Sequence, residues 1–270
     1  MHPGGNVMNR SSVIFLLGGL LSAVAPLAWA GPEAPRPEAA TAIAVALASP
    51  ERPEADRAQD AQRRPREFLE FAGVAPGMRV LDAFSAGGYY TELLSHVVGN
   101  TGEVIAYNNP PYANFAAKAI AARYAGGRLK NVRQVTAGVD ELELAPRSLD
   151  AVIFVMSYHD LYWRPADGSW PPTDPAQMLA RLHAALKPGG VVVVQDHVAS
   201  AGGDTAAVVD TLHRIDPAVV RRDFERAGFA FEAESPMLAH PEDDHSKLVF
   251  DPAIRGRTDQ FVYRFRRPGP

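Results

Sequence analysis

The sequence predicts an α/β protein built on a doubly wound, mostly parallel sheet with helices on both faces. Three observations predict it. Residues 79–94 read as a short buried strand, a tight glycine-containing loop and the start of a helix, a unit in which backbone amides and a helix N-terminus can approach a nucleotide closely. From residue 79 to residue 235, apolar strand-like runs alternate with helical patterns, as in a parallel wound sheet. Residues 149–157 are an almost unbroken apolar run, which suits a central strand covered on both faces.

The elements follow in order. Residues 39–48 predict a small helix ended by Pro50, and 53–71 a longer one that Pro65 bends or splits. A turn over 74–78 leads into the first strand, 79–84, then a helix over 90–98 whose apolar residues share one face. The second strand is 103–108, followed by a helix over 114–124 and a third strand over 132–137. The fourth strand is 149–157. A helix over 174–186 is expected to close on Lys187-Pro188-Gly189-Gly190, with glycine as a left-handed cap. A fifth, β-branched strand covers 191–195, a helix 217–227 ends at Gly228, and 229–234 and 260–265 are the last two strands.

Composition narrows the function. A chain of 270 residues with 47% hydrophobic content is long enough for one substantial domain. Its formal net charge of −4 leaves no basic field for nucleic acid. It has no cysteine, which excludes disulfides, thiolate nucleophiles and zinc–thiolate sites. The apolar run 13–25 follows Arg10 and precedes Ala28 and Ala30, the pattern of a signal peptide over 1–30. The mature chain then begins at Gly31 and is periplasmic; the alternative is an uncleaved N-terminal anchor. Residues 31–52 are read as a flexible proline-rich spacer with a short helix, and 53–270 as a single domain with its core over about 67–267.

Four motifs in order now carry a resemblance. Val80-Leu81-Asp82 with Gly87-Gly88-Tyr89 resembles the first motif of class I S-adenosylmethionine-dependent methyltransferases, with Phe84 and Ala86 where that motif has glycine and Gly88 in place. Ser148-Leu149-Asp150-Ala151-Val152 resembles the opening of their fourth strand. Leu186-Lys187-Pro188-Gly189-Gly190-Val191 is similar to the turn into their fifth, and Ala227-Gly228-Phe229 to the approach to their sixth. The resemblance implies a Rossmann-like, seven-stranded sheet with an antiparallel last strand. A narrower likeness, carried by Gly87-Gly88-Tyr89-Tyr90-Thr91-Glu92, Ser157-Tyr158-His159-Asp160, Asp196-His197 and Asp243-Asp244-His245, is to exported bacterial methyltransferases without an assigned substrate.

The resemblance also implies the site. S-adenosyl-L-methionine would be the cofactor, with Asp82, Ser85, Gly87 and Gly88 around it. Asn108 stands where the family has an acid that accepts from the ribose hydroxyls, and an amide forgoes that charge-assisted bond. Asp140 would reach the adenine amine, or is an ordinary solvated loop acid. Ligands of this sheet type bind beyond the carboxyl ends of the strands. His159 is therefore read as general base for a small-molecule acceptor, oriented by Asp160 or Asp196, or else as a helix-capping, core-linking histidine. Tyr158, Tyr162 and Trp163 line an acceptor pocket or simply pack. A divalent ion on Asp160, Asp196 and His197 is conceivable chemically, but close metal-ligand spacing is lacking and no resident metal is expected. Ser85 lacks a nucleophile elbow, so hydrolysis is disfavoured. The reading of a different class is an exported Rossmann-like binding protein that has lost catalysis.

Overall fold

Seven strands form one sheet in the order β3-β2-β1-β4-β5-β7-β6. The computed structural model describes residues 1–2 and 36–269; residues 3–30 of the expected signal peptide and 31–35 of the expected spacer lie outside the described residues. The strands are β1 (Arg79–Ala83), β2 (Glu103–Asn108), β3 (Val132–Thr136), β4 (Leu149–Val155), β5 (Leu186–His197), β6 (Ala230–Ser235) and β7 (Gln260–Arg266). β1 to β5 pair in parallel, and β7 runs antiparallel to both β5 and β6. This is the Rossmann-like arrangement expected, with its antiparallel last strand.

Alternation along the strands builds a core on each face. Leu81, Ile105, Val152, Phe154, Val192 and Val194 point to one side, where they meet α8 (Pro175–Ala185) and α10 (Pro217–Arg226). Val80, Val104, Ala151, Ile153, Val191 and Val193 point to the other. There they meet α1 (Pro37–Ala48), α4 (Pro65–Ala72) and α5 (Tyr89–Val98). Ile43 of α1, Leu69 of α4 and Leu93 of α5 are fully buried, and each such side chain contributes about 1.5–3 kcal/mol of burial.

Several boundaries differ from expectation, for local reasons. The helix expected over 53–71 is three pieces: α2 (Glu54–Arg57), α3 (Asp60–Arg63) and α4. Arg64 takes a left-handed conformation, φ 46° and ψ 52°, because the ring of Pro65 disfavours right-handed helix in the residue before it. The helix expected over 114–124 is two, α6 (Pro110–Phe115) and α7 (Ala117–Arg123). Asn109 caps α6 by accepting from the Tyr112 amide at 2.9 Å, with Pro110 at its first position. α8 does not end on glycine. Leu186 leaves the helix extended and pairs with Leu149 as the first residue of β5, and left-handed Gly189 falls within that strand where its register with β4 shifts. A further helix, α9 (Thr205–Leu212), is capped by Asp204.

Because β2 and β4 flank β1 on opposite sides, the chain reverses direction of travel there and opens a crevice at the carboxyl ends of β1 and β4. The candidate site lies in it.

Candidate active site

The loop after β1 keeps a glycine backbone without all of its glycines. Phe84, Ala86 and Gly88 are left-handed, with φ of 54°, 48° and 80°. For the two non-glycine residues this costs roughly 1–2 kcal/mol each, and specific contacts offset it. The Phe84 ring is held among Tyr107, Tyr112 and Phe154, with centroids 5.3, 5.5 and 6.3 Å away. Ala86 is held by Asn108, whose Oδ1 accepts from the Ala86 amide at 2.8 Å while Nδ2 donates to the Ala86 carbonyl at 3.3 Å and to Ser85 Oγ at 3.2 Å. Gly87 has no room for a side chain: a Cβ there would stand 2.8 Å from Ala119 Cβ of α7.

This loop forms one wall of a cavity of about 330 Å³ lined by Asp82, Ser85, Gly87 and Gly88. Asp56, Gln59 and Arg63 from the segment around α2 and α3 close it from above, and Arg123 of α7 from the side. Arg123 fastens these parts together. Its Nη1 donates to Asp56 at 2.5 Å and also pairs with buried Glu92, and its Nε donates to the Gly87 carbonyl at 2.9 Å. Arg63 lies over the Tyr89 ring at 4.5 Å. Asp82 is buried beneath the loop and accepts from the Thr91 hydroxyl at 2.6 Å. Burial pushes its carboxyl up to about 7, against the opposing hydrogen bond from Thr91. A backbone cradle with three left-handed positions, a side-chain-free Gly87 and a buried carboxylate fits a nucleotide-like, cationic cofactor.

Two expected cofactor residues sit elsewhere. Asn108 does not line the cavity; its amide is spent on Ser85 and Ala86. A carboxylate there could not donate to the Ala86 carbonyl, which gives this chain a physical reason to carry an amide. Asp140 is exposed in the loop after β3, outside the lining of this cavity.

A second cavity, of about 710 Å³, adjoins the first. Arg63, Tyr112 and Met156 belong to the walls of both. His159 and Asp160 line it, together with Trp163, Trp170 and His213. His159 starts a 3₁₀ turn beyond β4, and Asp196 ends β5 beside it. The three predicted catalytic residues therefore meet. Asp196 Oδ1 contacts His159 Nδ1 at 2.7 Å and accepts from the His197 amide at 2.8 Å, while Oδ2 accepts from the His159 amide at 2.9 Å. Asp160 Oδ1 stands 3.4 Å from His159 Nε2, and Asp160 Oδ2 accepts from the Tyr112 hydroxyl at 2.5 Å.

Electrostatics separate the histidines. Burial opposes the charged form of His159, but the carboxylates of Asp160 and Asp196 outweigh it and raise the imidazole to about 9. Burial raises Asp160 above the usual carboxylate range. At Asp196 burial is outweighed by His159, and the pKa falls. At His197 and His213 burial outweighs the nearby acids, Asp196 at the first and Asp210 and Asp196 at the second; it drops them to about 3 and about 4 and keeps them neutral. Asp196 has both oxygens committed to His159 and His197, and among the described residues no cluster of three or more His, Cys, Asp or Glu is arranged to hold a metal ion. Tyr158 and Tyr162 both donate to Asp223, and Tyr158 is fully buried, so it packs rather than lines the cavity.

The residues that sequence reasoning missed are those brought in from a distance. Asp56 and Arg63 precede the loop by more than twenty positions, and Tyr112 and Arg123 belong to helices that carry no motif. Only left-handed Met156, at the end of an apolar strand, stood next to a residue already singled out.

Comparison with known proteins fits this geometry. Residues 81–194 match the family model described as a methyltransferase domain. The ubiquinone/menaquinone biosynthesis C-methyltransferase UbiE of Shewanella oneidensis is 28% identical over 130 residues, 48% of this chain and 46% of that protein. The chain thus spans about half the length of the curated relatives it matches. Among solved structures, an S-adenosylmethionine-dependent methyltransferase of Aquifex aeolicus superposes with a TM-score of 0.55 at 18% identity, covering 79% of this chain and 95% of that one. The [4+2]-cyclase SpnF superposes with a TM-score of 0.50 at 17% identity, over 89% and 99%. These likenesses show the fold. Residues 81–194, less than half of the chain, thus resemble a methyltransferase domain, and proteins of that class use S-adenosyl-L-methionine as cofactor.

Proposed function

We propose that this protein methylates a small, largely apolar acceptor bearing a hydroxyl or amine, with His159 as general base. The observation that carries this reading is the adjoining of the two cavities through Arg63, Tyr112 and Met156, with the His159–Asp160 pair in the second. The cofactor, when bound, supplies an electrophilic methyl group on a sulfonium sulfur. Asp82, Ser85, Gly87 and Gly88 would hold it in the first cavity.

The chain's own residues have two tasks, positioning and proton removal. Asp196, fixed by backbone amides, takes the Nδ1–H of His159, which leaves Nε2 as the basic nitrogen of the neutral ring. Nε2 receives the acceptor's proton, and the resulting imidazolium is stabilised between Asp160 and Asp196. Tyr112 anchors Asp160. The aromatic walls exclude water around the reacting atoms. The apolar run 13–25 with Ala28 and Ala30 supports export, so acceptors are sought among envelope metabolites.

The test is transfer of labelled methyl from S-adenosylmethionine into a small-molecule envelope extract by the wild-type chain and by His159→Ala. Label incorporated by the wild type alone supports the reading. No incorporation by a protein that binds the cofactor would count against it.

A further inference from the structure

The mouth of the second cavity is apolar where a protein surface is ordinarily polar. Of the described phenylalanines only Phe115 and Phe250 are exposed, at 87% and 54%, and both line this cavity. They come from separate parts of the chain, the end of α6 and the connection between β6 and β7. Leu248, 38% exposed, lies two residues before Phe250. Large exposed apolar groups gathered at one opening mark a binding surface.

The wall from this rim inward is continuous. Phe250 meets the ring of His213 edge-on at 5.2 Å, and His213 meets His159 at 5.6 Å and Trp163 at 5.1 Å. Trp163 in turn contacts Trp170 at 5.1 Å. A path of aromatic rings thus runs from the proposed base to the solvent edge. Its neutral histidine places no charge along the way. A wholly polar acceptor would leave these surfaces wetted, whereas an apolar tail would cover them.

We infer that the acceptor is an amphiphile, with its hydroxyl- or amine-bearing head at His159 and an apolar tail that follows the Trp163–His213 wall and leaves between Phe115 and Phe250. This rests on the reading of the second cavity as the acceptor site. It specifies the acceptor's class, and it assigns Phe115 and Phe250 to recognition of the tail.

The test uses the compact unit Gly31–Pro270. Of the chain's three tryptophans, this unit retains Trp163 and Trp170, both in the cavity wall. A series of 4-alkylphenols from ethyl to octyl is titrated by quenching of that tryptophan fluorescence, with S-adenosylhomocysteine present. Affinity is expected to rise about fourfold for each added methylene that is buried. In Phe115→Ser/Phe250→Ser the gain should stop for the longer members of the series, with S-adenosylhomocysteine affinity unchanged by calorimetry. Affinity independent of chain length, an undiminished gain in the double variant, or no quenching by any member would overturn the inference. The calorimetric affinity is read separately, so failure of the methyltransferase reading itself would show as absent S-adenosylhomocysteine binding.

Discussion

Asn108 and Ala86 are joined by reciprocal hydrogen bonds, with the Ala86 amide donating to Oδ1 at 2.8 Å and Nδ2 donating to the Ala86 carbonyl at 3.3 Å. The amide side chain thus holds a left-handed alanine in a loop where glycine would adopt that conformation freely. Asn108→Asp restores the acid of related motifs but sets a carboxylate oxygen against the Ala86 carbonyl. Stability is expected to fall by about 1–3 kcal/mol, and S-adenosylhomocysteine affinity with it. Urea denaturation and calorimetry check this; an Asn108→Asp protein that binds the cofactor more tightly would show that the side chain faces the ribose instead.

His159 titrates late because two carboxylates flank it. The proton-accepting form therefore grows as pH rises toward about 9, and kcat/KM should climb through that range. Asp196→Asn removes the charge at Nδ1, so the climb should move to lower pH with a slower maximum. His159→Ala should cut turnover by about a hundredfold or more, as loss of a general base does, with cofactor affinity nearly unchanged. A rate independent of pH up to 9 would remove His159 from the reaction.

Arg123 ties the closing segment to the loop through Asp56, Glu92 and the Gly87 carbonyl. Without Arg123, Asp56 loses its partner while Glu92 keeps its pair with Arg128; loss of one partner of a buried pair costs about 3–5 kcal/mol. Arg123→Met should therefore lower the urea midpoint strongly. Asp56→Asn keeps the Glu92 pair and should cost less, while still weakening S-adenosylhomocysteine binding by loosening the roof of the cavity.

His197 and His213 are held neutral by burial, with values lowered to about 3 and about 4. Their unfolded forms take up protons near the ordinary histidine value, about 6.5, before the folded forms do. Stability is therefore lost as pH falls from that value toward 4 and then 3. His213→Phe should flatten the upper part of this decline in melting temperature between pH 6.5 and 4. An unchanged acid profile would mean that His213 is not buried neutral.

The parts legible in the sequence are those where local chemistry repeats. The loop after β1, the apolar run of β4 and the β-branched run of β5 each combine a period and a breaker within a dozen residues. His159, Asp160 and Asp196 were legible as well, because strand ends in such a sheet converge. The roof of the first cavity was not, since Asp56 and Arg63 reach it only through the left-handed turn at Arg64 and the long-range pair with Arg123. Asn108 was legible as a departure, but its role depends on which way the amide faces. The rim of Phe115 and Phe250 depends on where two unrelated segments meet.

The central claim is that the loop after β1 binds S-adenosylmethionine, and isothermal titration of the Gly31–Pro270 unit tests it most directly. Micromolar binding of S-adenosylmethionine and S-adenosylhomocysteine is expected, lost in Asp82→Ala. Because burial raises Asp82 to about 7, affinity for the cationic cofactor should strengthen as pH rises through neutrality. No binding at millimolar ligand, or an affinity that Asp82→Ala leaves unchanged, would contradict the account.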